Sequence, residues 1–116
     1  MASKRRLQKL QNVLREELSR ILEREVEFPP GILVTITRLE VSEDVHYATV
    51  FLSVLGEERD EALAMVRKNT YHIQQGLNRR MRMRPVPRIS FQIDEAEERR
   101  EVVEKSLAEL KKRKEL

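Results

Sequence analysis

The chain has no cysteine and no tryptophan, and its 116 residues include only three glycines and two histidines. Each scarcity excludes something. Without cysteine there is no disulfide, no thiolate nucleophile and none of the usual zinc clusters, and a reducing compartment fits. Gly31, Gly56 and Gly76 lie too far apart to form a phosphate-cradling loop, and no G-x-x-G is present. Aromatic residues make up 4% of the chain, which argues against a platform that stacks single-stranded bases. No apolar run approaches the ~20 residues needed to span a membrane. The start, Met1 to Arg6, is basic but leads into a charged segment with no apolar signal core, so a cytoplasmic location is expected.

What is abundant is charge. Charged residues make up 37% and hydrophobic residues 40%. That balance predicts one domain with a thin core under a charged surface. The net charge of +3 conceals a segregation. Residues 1–24 carry seven basic and three acidic side chains, and residues 61–93 carry seven and one. Between them, residues 25–60 carry two and eight; residues 94–116 carry seven and eight. Two basic segments thus flank an acidic one, which argues for a polyanionic partner more strongly than the net charge does.

Hydrophobic periodicity divides the chain into elements. Leu7, Leu10, Leu14, Leu18 and Ile21 form one stripe of a helix over 3–25, with Ser3 placed to cap it. Pro29-Pro30-Gly31 ends that tendency. "ILVTITRLEV", 32–41, is β-branched and reads as a strand, but its phase slips. Ile32, Val34 and Ile36 share one parity, while Leu39 and Val41 share the other. A bulge, or burial of parts of both faces, accounts for this. "YATVFLSVL", 47–55, is a cleaner strand, with Ala48, Val50, Leu52 and Val54 facing one way and Tyr47, Thr49, Phe51 and Ser53 the other. The short connection makes the two an antiparallel hairpin.

Helical spacing returns over 58–83, through Leu63, Val66, Thr70, Ile73, Leu77 and Met81. The weak helix formers Asn69-Thr70-Tyr71 predict a kink or break there, and Pro85 and Pro87 stop the helix. "RISFQI" follows as a third strand with Ile89, Phe91 and Ile93 inward. A last helix over 95–115 has a narrow stripe of Val103, Leu107 and Leu110. The order helix, strand, strand, helix, helix, strand, helix predicts an α+β domain. Its three-stranded sheet should have helices on one face.

Catalytic chemistry is poorly represented. His46 and His72 have no second ligand at metal-like spacing, and the acids of 57–61 read as a loop and a helix start, where they complement the dipole. No catalytic residue, metal ligand or cofactor is assigned. Arginine is the stronger signal. "NRRMRMRPVPRISFQID", 78–94, holds five arginines and no acid before Asp94. Arg79 and Arg80 complement a helix C-terminus, whereas Arg82, Arg84 and Arg88 are expected to share one side-chain parity as a phosphate-facing row. Arginine matches phosphate geometry, and shape and phosphate recognition of folded RNA is the expected mode.

The stretch "VTITRLEVSEDVHYATVFLSVLG", 34–56, resembles the signature of the bacterial ribosome-binding factor A family. The likeness runs through Val34-Thr35-Ile36-Thr37, Val41-Ser42, Asp44, Ala48, Val50 and Ser53 to Gly56. "LREELSRILEREV" resembles the family's first helix. "IQQGLNRRMRMRPVPRISFQID" resembles its ending through Ile73, Leu77, Arg80, Arg84, Pro87, Phe91 and Asp94. The resemblance covers about residues 5 to 95 in colinear order. It implies a type II KH-like fold of order α-β-β-α-kink-α-β. It also implies an Ala-x-Gly-like helix interruption in place of a G-x-x-G loop. Asn69-Thr70-Tyr71 occupies that place and keeps neither the alanine nor the glycine. "EFPPG" departs from the family's Asp-Pro-Arg, so no role is carried over to it.

By that resemblance the chain is an assembly factor and no enzyme. It would bind the free small (30S) ribosomal subunit or its precursor, assist late maturation of 16S ribosomal RNA, support growth in the cold and be released by a GTPase or as initiation proceeds. Residues 1–94 would form the KH-like RNA-binding domain and 95–116 a charged C-terminal helical extension. The expected RNA contacts are Arg79, Arg80, Arg82, Arg84 and Arg88, with Lys68, Asn69 and Tyr71 near the kink and Lys4, Arg5 and Arg6 at the start. The protein is expected to be monomeric and to touch no membrane. Two other readings stay open: a protein-interaction module docking through the final helix, and a small nuclease using Asp44 and His46.

Overall fold

A computed structural model describes residues 3–56, 58–96, 99 and 107. In chain order the elements are α1 (Lys4–Glu25), β1 (Leu33–Val41), β2 (Tyr47–Leu55), α2 (Arg59–Lys68), α3 (Thr70–Arg80) and β3 (Arg88–Ile93). The fold is α+β, as expected. The final helix expected over 95–115 falls almost wholly outside the described residues, and so does most of the extension assigned to 95–116.

The three strands form one sheet in the order β1-β2-β3. β1 and β2 pair antiparallel, and β3 lies parallel to β2. A parallel neighbour needs a crossover connection, and the α2–α3 segment supplies it. The slipped phase of β1 is a bulge: the register shifts between Ile36 and Arg38, leaving Thr37 without a Cα partner. The extra residue lets Ile36 and Leu39 both face the helices, and both are buried.

One face of the sheet carries the core. Val50 and Leu52 from β2, Ile89 and Phe91 from β3, and Ile36 and Leu39 from β1 meet Leu14, Leu18 and Ile21 of α1, Val66 of α2, and Ile73 and Leu77 of α3. Full burial of a leucine or isoleucine stabilises by about 1.5–3 kcal/mol relative to exposure. Among the described residues, helices cover only this face. The other face, through Tyr47, Thr49, Phe51 and Ser53, is half-buried or exposed.

The long helical segment breaks at Asn69, which has φ −97° and ψ 7° and separates α2 from α3. Its amide Nδ2 donates to Met65 O at 2.8 Å, and its own carbonyl accepts from Ile73 N. Asparagine competes well for helix carbonyls, which is why it serves at such a break. The break redirects the chain along the outer edge of β3. There Arg67 donates to Phe91 O at 3.0 Å. Gln74 donates to Pro87 O and accepts from Ile89 N. These side chains satisfy groups that an edge strand would otherwise leave open.

Candidate nucleic-acid interface

α1 and α3 run antiparallel. Gly76 faces Ile21 closely enough that an added Cβ would sit 3.4–3.7 Å from its side chain, and Arg80 pairs with Glu17 at 3.3 Å. The C-terminus of α3 therefore lies beside the middle of α1. Gln11, further toward the start of α1, accepts from Val41 N at the end of β1. Arg88, opening β3, donates its backbone N–H to His46 O in the hairpin turn. One end of the domain thus gathers Arg79, Arg80, the loop 81–87, Arg88, the hairpin turn and the N-terminal half of α1. Lys4, Arg5 and Arg6 extend from its first turn, five to seven residues or about 7–11 Å from Gln11. The two basic blocks of the sequence meet at this end, beside Glu43 and Asp44 of the hairpin turn.

The other end mixes signs. Leu33 and Leu55 pair there, and Glu23 and Glu27 lie beside the start of β1. Asp60 of α2 and Glu95 border the end of β3 together with Arg38, Arg59 and Arg67.

The expected arginine row does not form. Residues 81–87 are not a strand, and the Arg84–Pro85 peptide is cis. Arg84 turns back on α3. Its Nη1 donates to Met81 O and Met83 O, each at 2.7 Å, and its Nη2 lies 3.3 Å from Asn78 O. Helix C-termini leave carbonyls unpaired, and a guanidinium is well suited to satisfy them. Arg84 closes the helix end, and only Arg88 of the supposed row stands on a strand. Arg79, Arg82 and Arg88 are exposed, and no carboxylate pairs with them among the described residues. Arg80 keeps an ion pair with Glu17. Lys68, Asn69 and Tyr71 are not brought to this end. They sit at the helix break beside β3, where Tyr71 is 69% exposed and meets His72 edge-on at 5.6 Å.

The hairpin turn is built to hold a shape. Asp44 Oδ1 accepts from Ser42 Oγ at 2.6 Å and from His46 N at 3.1 Å. Ser42 Oγ in turn accepts from Tyr47 N. These bonds favour the carboxylate and lower the Asp44 pKa, the Ser42 hydroxyl first. Their contribution is present above the ordinary carboxylate range and fades as pH falls through the lowered value. Val45 has φ +62°, a conformation that a β-branched residue rarely adopts. Asp44 is thus used to shape the turn.

Sequence reasoning missed three side chains that matter here: Arg67, Gln74 and Tyr47. The first two carry no periodic signal. Tyr47 did, because its outward parity placed an aromatic ring on the uncovered sheet face.

An α+β domain with a helix-break in place of a glycine loop and a basic end is a KH-like module. The ribosome-binding factor A family model matches residues 6–107. A ribosome-binding factor A of Natranaerobius thermophilus is 38% identical over 90% of this chain and 82% of its own. One from Nitrosococcus oceani is 34% identical over 81% and 76%. The chain belongs to the ribosome-binding factor A family. Its structure is similar to the crystal structure of the Thermus thermophilus factor, with TM-score 0.65 and 25% identity over 75% of this chain and 93% of that one. A Thermus thermophilus homology model of the factor, fitted into a cryo-electron-microscopy map of a 30S complex, matches at TM-score 0.55 and 29% identity, over 69% and 90%. No helix among the described residues is long and apolar enough to cross a membrane.

Proposed function

We propose that this protein binds the free small ribosomal subunit or its precursor and assists late maturation of 16S ribosomal RNA without catalysing a reaction. Family membership supports the ribosomal partner, as does the Thermus thermophilus relative fitted into a 30S map. The observation that carries the RNA contact is the basic end. There Arg79, Arg82 and Arg88 present guanidinium groups that no carboxylate among the described residues occupies, beside Lys4, Arg5 and Arg6. Lys68 and Tyr71 at the helix break form a second, smaller contact. Arg84 and Asn69 serve the scaffold. Holding one arrangement of unfinished RNA would support growth in the cold, where misfolded RNA escapes slowly, and release by a GTPase would free the subunit. The protein would act as a cytoplasmic monomer, with residues 95–116 as an extension of the domain.

The test is sedimentation of a lysate through a sucrose gradient. Cofractionation with free small subunits, absence from polysomes and loss of the association on ribonuclease treatment are expected. Recovery of ribosomal proteins with this protein in a pull-down after complete RNA digestion would favour a docking role on protein instead.

A further inference from the structure

Two aromatic side chains of β2 point to the uncovered face of the sheet. Tyr47 and Phe51 lie four residues apart, about 13 Å along the strand. Their surroundings differ. Over Phe51 lies the Arg38 guanidinium, 3.8 Å from the ring centroid, and that arginine is tied down by Glu40 and Asp94. The ring already has its cation. Tyr47 is 60% exposed, and among the described residues no aromatic or guanidinium group lies on its ring. Its Cα partner across the parallel pair is Arg88. The next pair, Ala48 and Ile89, is buried against the helices, so Tyr47 and Arg88 both project to the open side, on strands about 4.8 Å apart.

The backbone beneath Tyr47 is tied into the hairpin turn. Its N–H donates to Ser42 Oγ, its carbonyl accepts from Ser42 N at 2.9 Å, and Val45 is held in the left-handed region. A strained turn that fixes an exposed ring is the kind of local cost found at binding sites. The nearby acids are mostly engaged: Glu40 holds Arg38 and Asp44 holds the turn. Glu43 is exposed. An accessible ring beside an unpaired guanidinium matches one unpaired nucleotide, whose base offers a π-face and whose phosphate offers a bidentate acceptor.

We propose that Tyr47 and Arg88 form a site for a single unpaired nucleotide of the RNA, its base on the tyrosine ring and its phosphate on the guanidinium. This rests on the RNA-binding reading above and adds a base contact to an otherwise phosphate-directed surface.

The chain has no tryptophan and two tyrosines, so the emission lost on going from the full-length parent to Tyr47→Phe is that of Tyr47. That component should be quenched by a single-stranded octanucleotide of mixed sequence and left unchanged by the matching duplex. Tyr47→Leu should bind purified free small subunits about tenfold more weakly, whereas Tyr47→Phe should bind within about twofold of the parent. Parental affinity in Tyr47→Leu, or unchanged emission at saturating octanucleotide, overturns the proposal. Weaker subunit binding without quenching overturns it too, in favour of a ribosomal protein against Tyr47. If the parent chain itself fails to bind free subunits, the functional reading above falls. If the parent binds and only the Tyr47 result fails, that reading stands and the nucleotide site does not.

Discussion

The two ends of β3 use charge in opposite ways. At its end stands Asp94, which is 4% exposed. Its carboxylate accepts from Thr37 Oγ1 at 2.6 Å and from Arg38 Nε at 3.3 Å, and its backbone N–H donates to Leu52 O. One side chain therefore ties the β1 bulge to the end of β3 across the central strand. Partial burial works against the Arg38 charge, but hydrogen bonds and attraction from Glu40 and Asp94 outweigh it and raise its pKa. At the start of β3 stands Arg88, exposed and without an ion pair among the described residues. Charge at one end is consumed by the fold; at the other it is left facing outward. An arginine count cannot separate these uses, because Arg38 and Arg88 are both exposed strand residues.

Breaking the closed end should have the largest effect. Asp94→Ala removes an almost buried carboxylate, leaving the Thr37 hydroxyl with Phe51 O and Arg38 with Glu40. A buried pair broken on one side costs about 3–5 kcal/mol. The Arg38 side chain is 47% exposed, so water takes up part of the loss and about 2–3 kcal/mol is expected. Urea unfolding measures it. Subunit affinity per folded molecule should not change. A loss of affinity at unchanged stability would move Asp94 from scaffold to interface.

The open end should respond in the reverse sense. Replacing Arg79, Arg82 and Arg88 together by glutamine should lower the slope of log affinity against log salt by roughly 2–3, about 0.7–0.9 per phosphate contact. Stability should move by no more than about 0.5 kcal/mol per site. Arg84→Gln is the contrast. It should lower stability by about 1 kcal/mol through the freed carbonyls of Asn78, Met81 and Met83 and leave the salt slope unchanged. Equal slopes in the triple variant and the parent, measured on folded protein, would remove these arginines from the interface.

Much of this was legible in the sequence. The strands 47–55 and 88–93 and the helix 4–25 follow from periodicity, because each buries one face against a single layer. The break at Asn69 follows from propensity. The phase slip of β1 left bulge and two-sided burial both open, and only the register decided for the bulge. What stayed hidden was set by contacts distant in sequence. Arg84 and Arg88 are four residues apart and look alike, yet Arg84 lies within reach of a helix end and Arg88 does not. Side-chain parity alone predicts extended chain through residues 82–87, but two prolines and a helix terminus to satisfy make a loop there instead. Asp94 read as the last residue of a motif; its burial depends on Thr37, 57 residues away.

Arg80 stands between the two classes, and the smallest expected effect decides its place. It pairs with Glu17 at 3.3 Å, with side chains 40% and 21% exposed, a setting in which ion pairs contribute about 0–1 kcal/mol. Glu17 also faces Arg20 at 3.7 Å. Glu17→Gln should therefore change stability by less than about 0.5 kcal/mol. If Arg80 belongs to the open end, removing its competing carboxylate frees a cation for phosphate. The salt slope should then steepen by up to about 0.9, and affinity at moderate salt should rise about two- to threefold. If Arg80 belongs to the scaffold, Glu17→Gln lowers the melting temperature slightly and leaves both slope and affinity as they were. One outcome moves both slope and affinity and the other moves neither, so a small effect still assigns the residue.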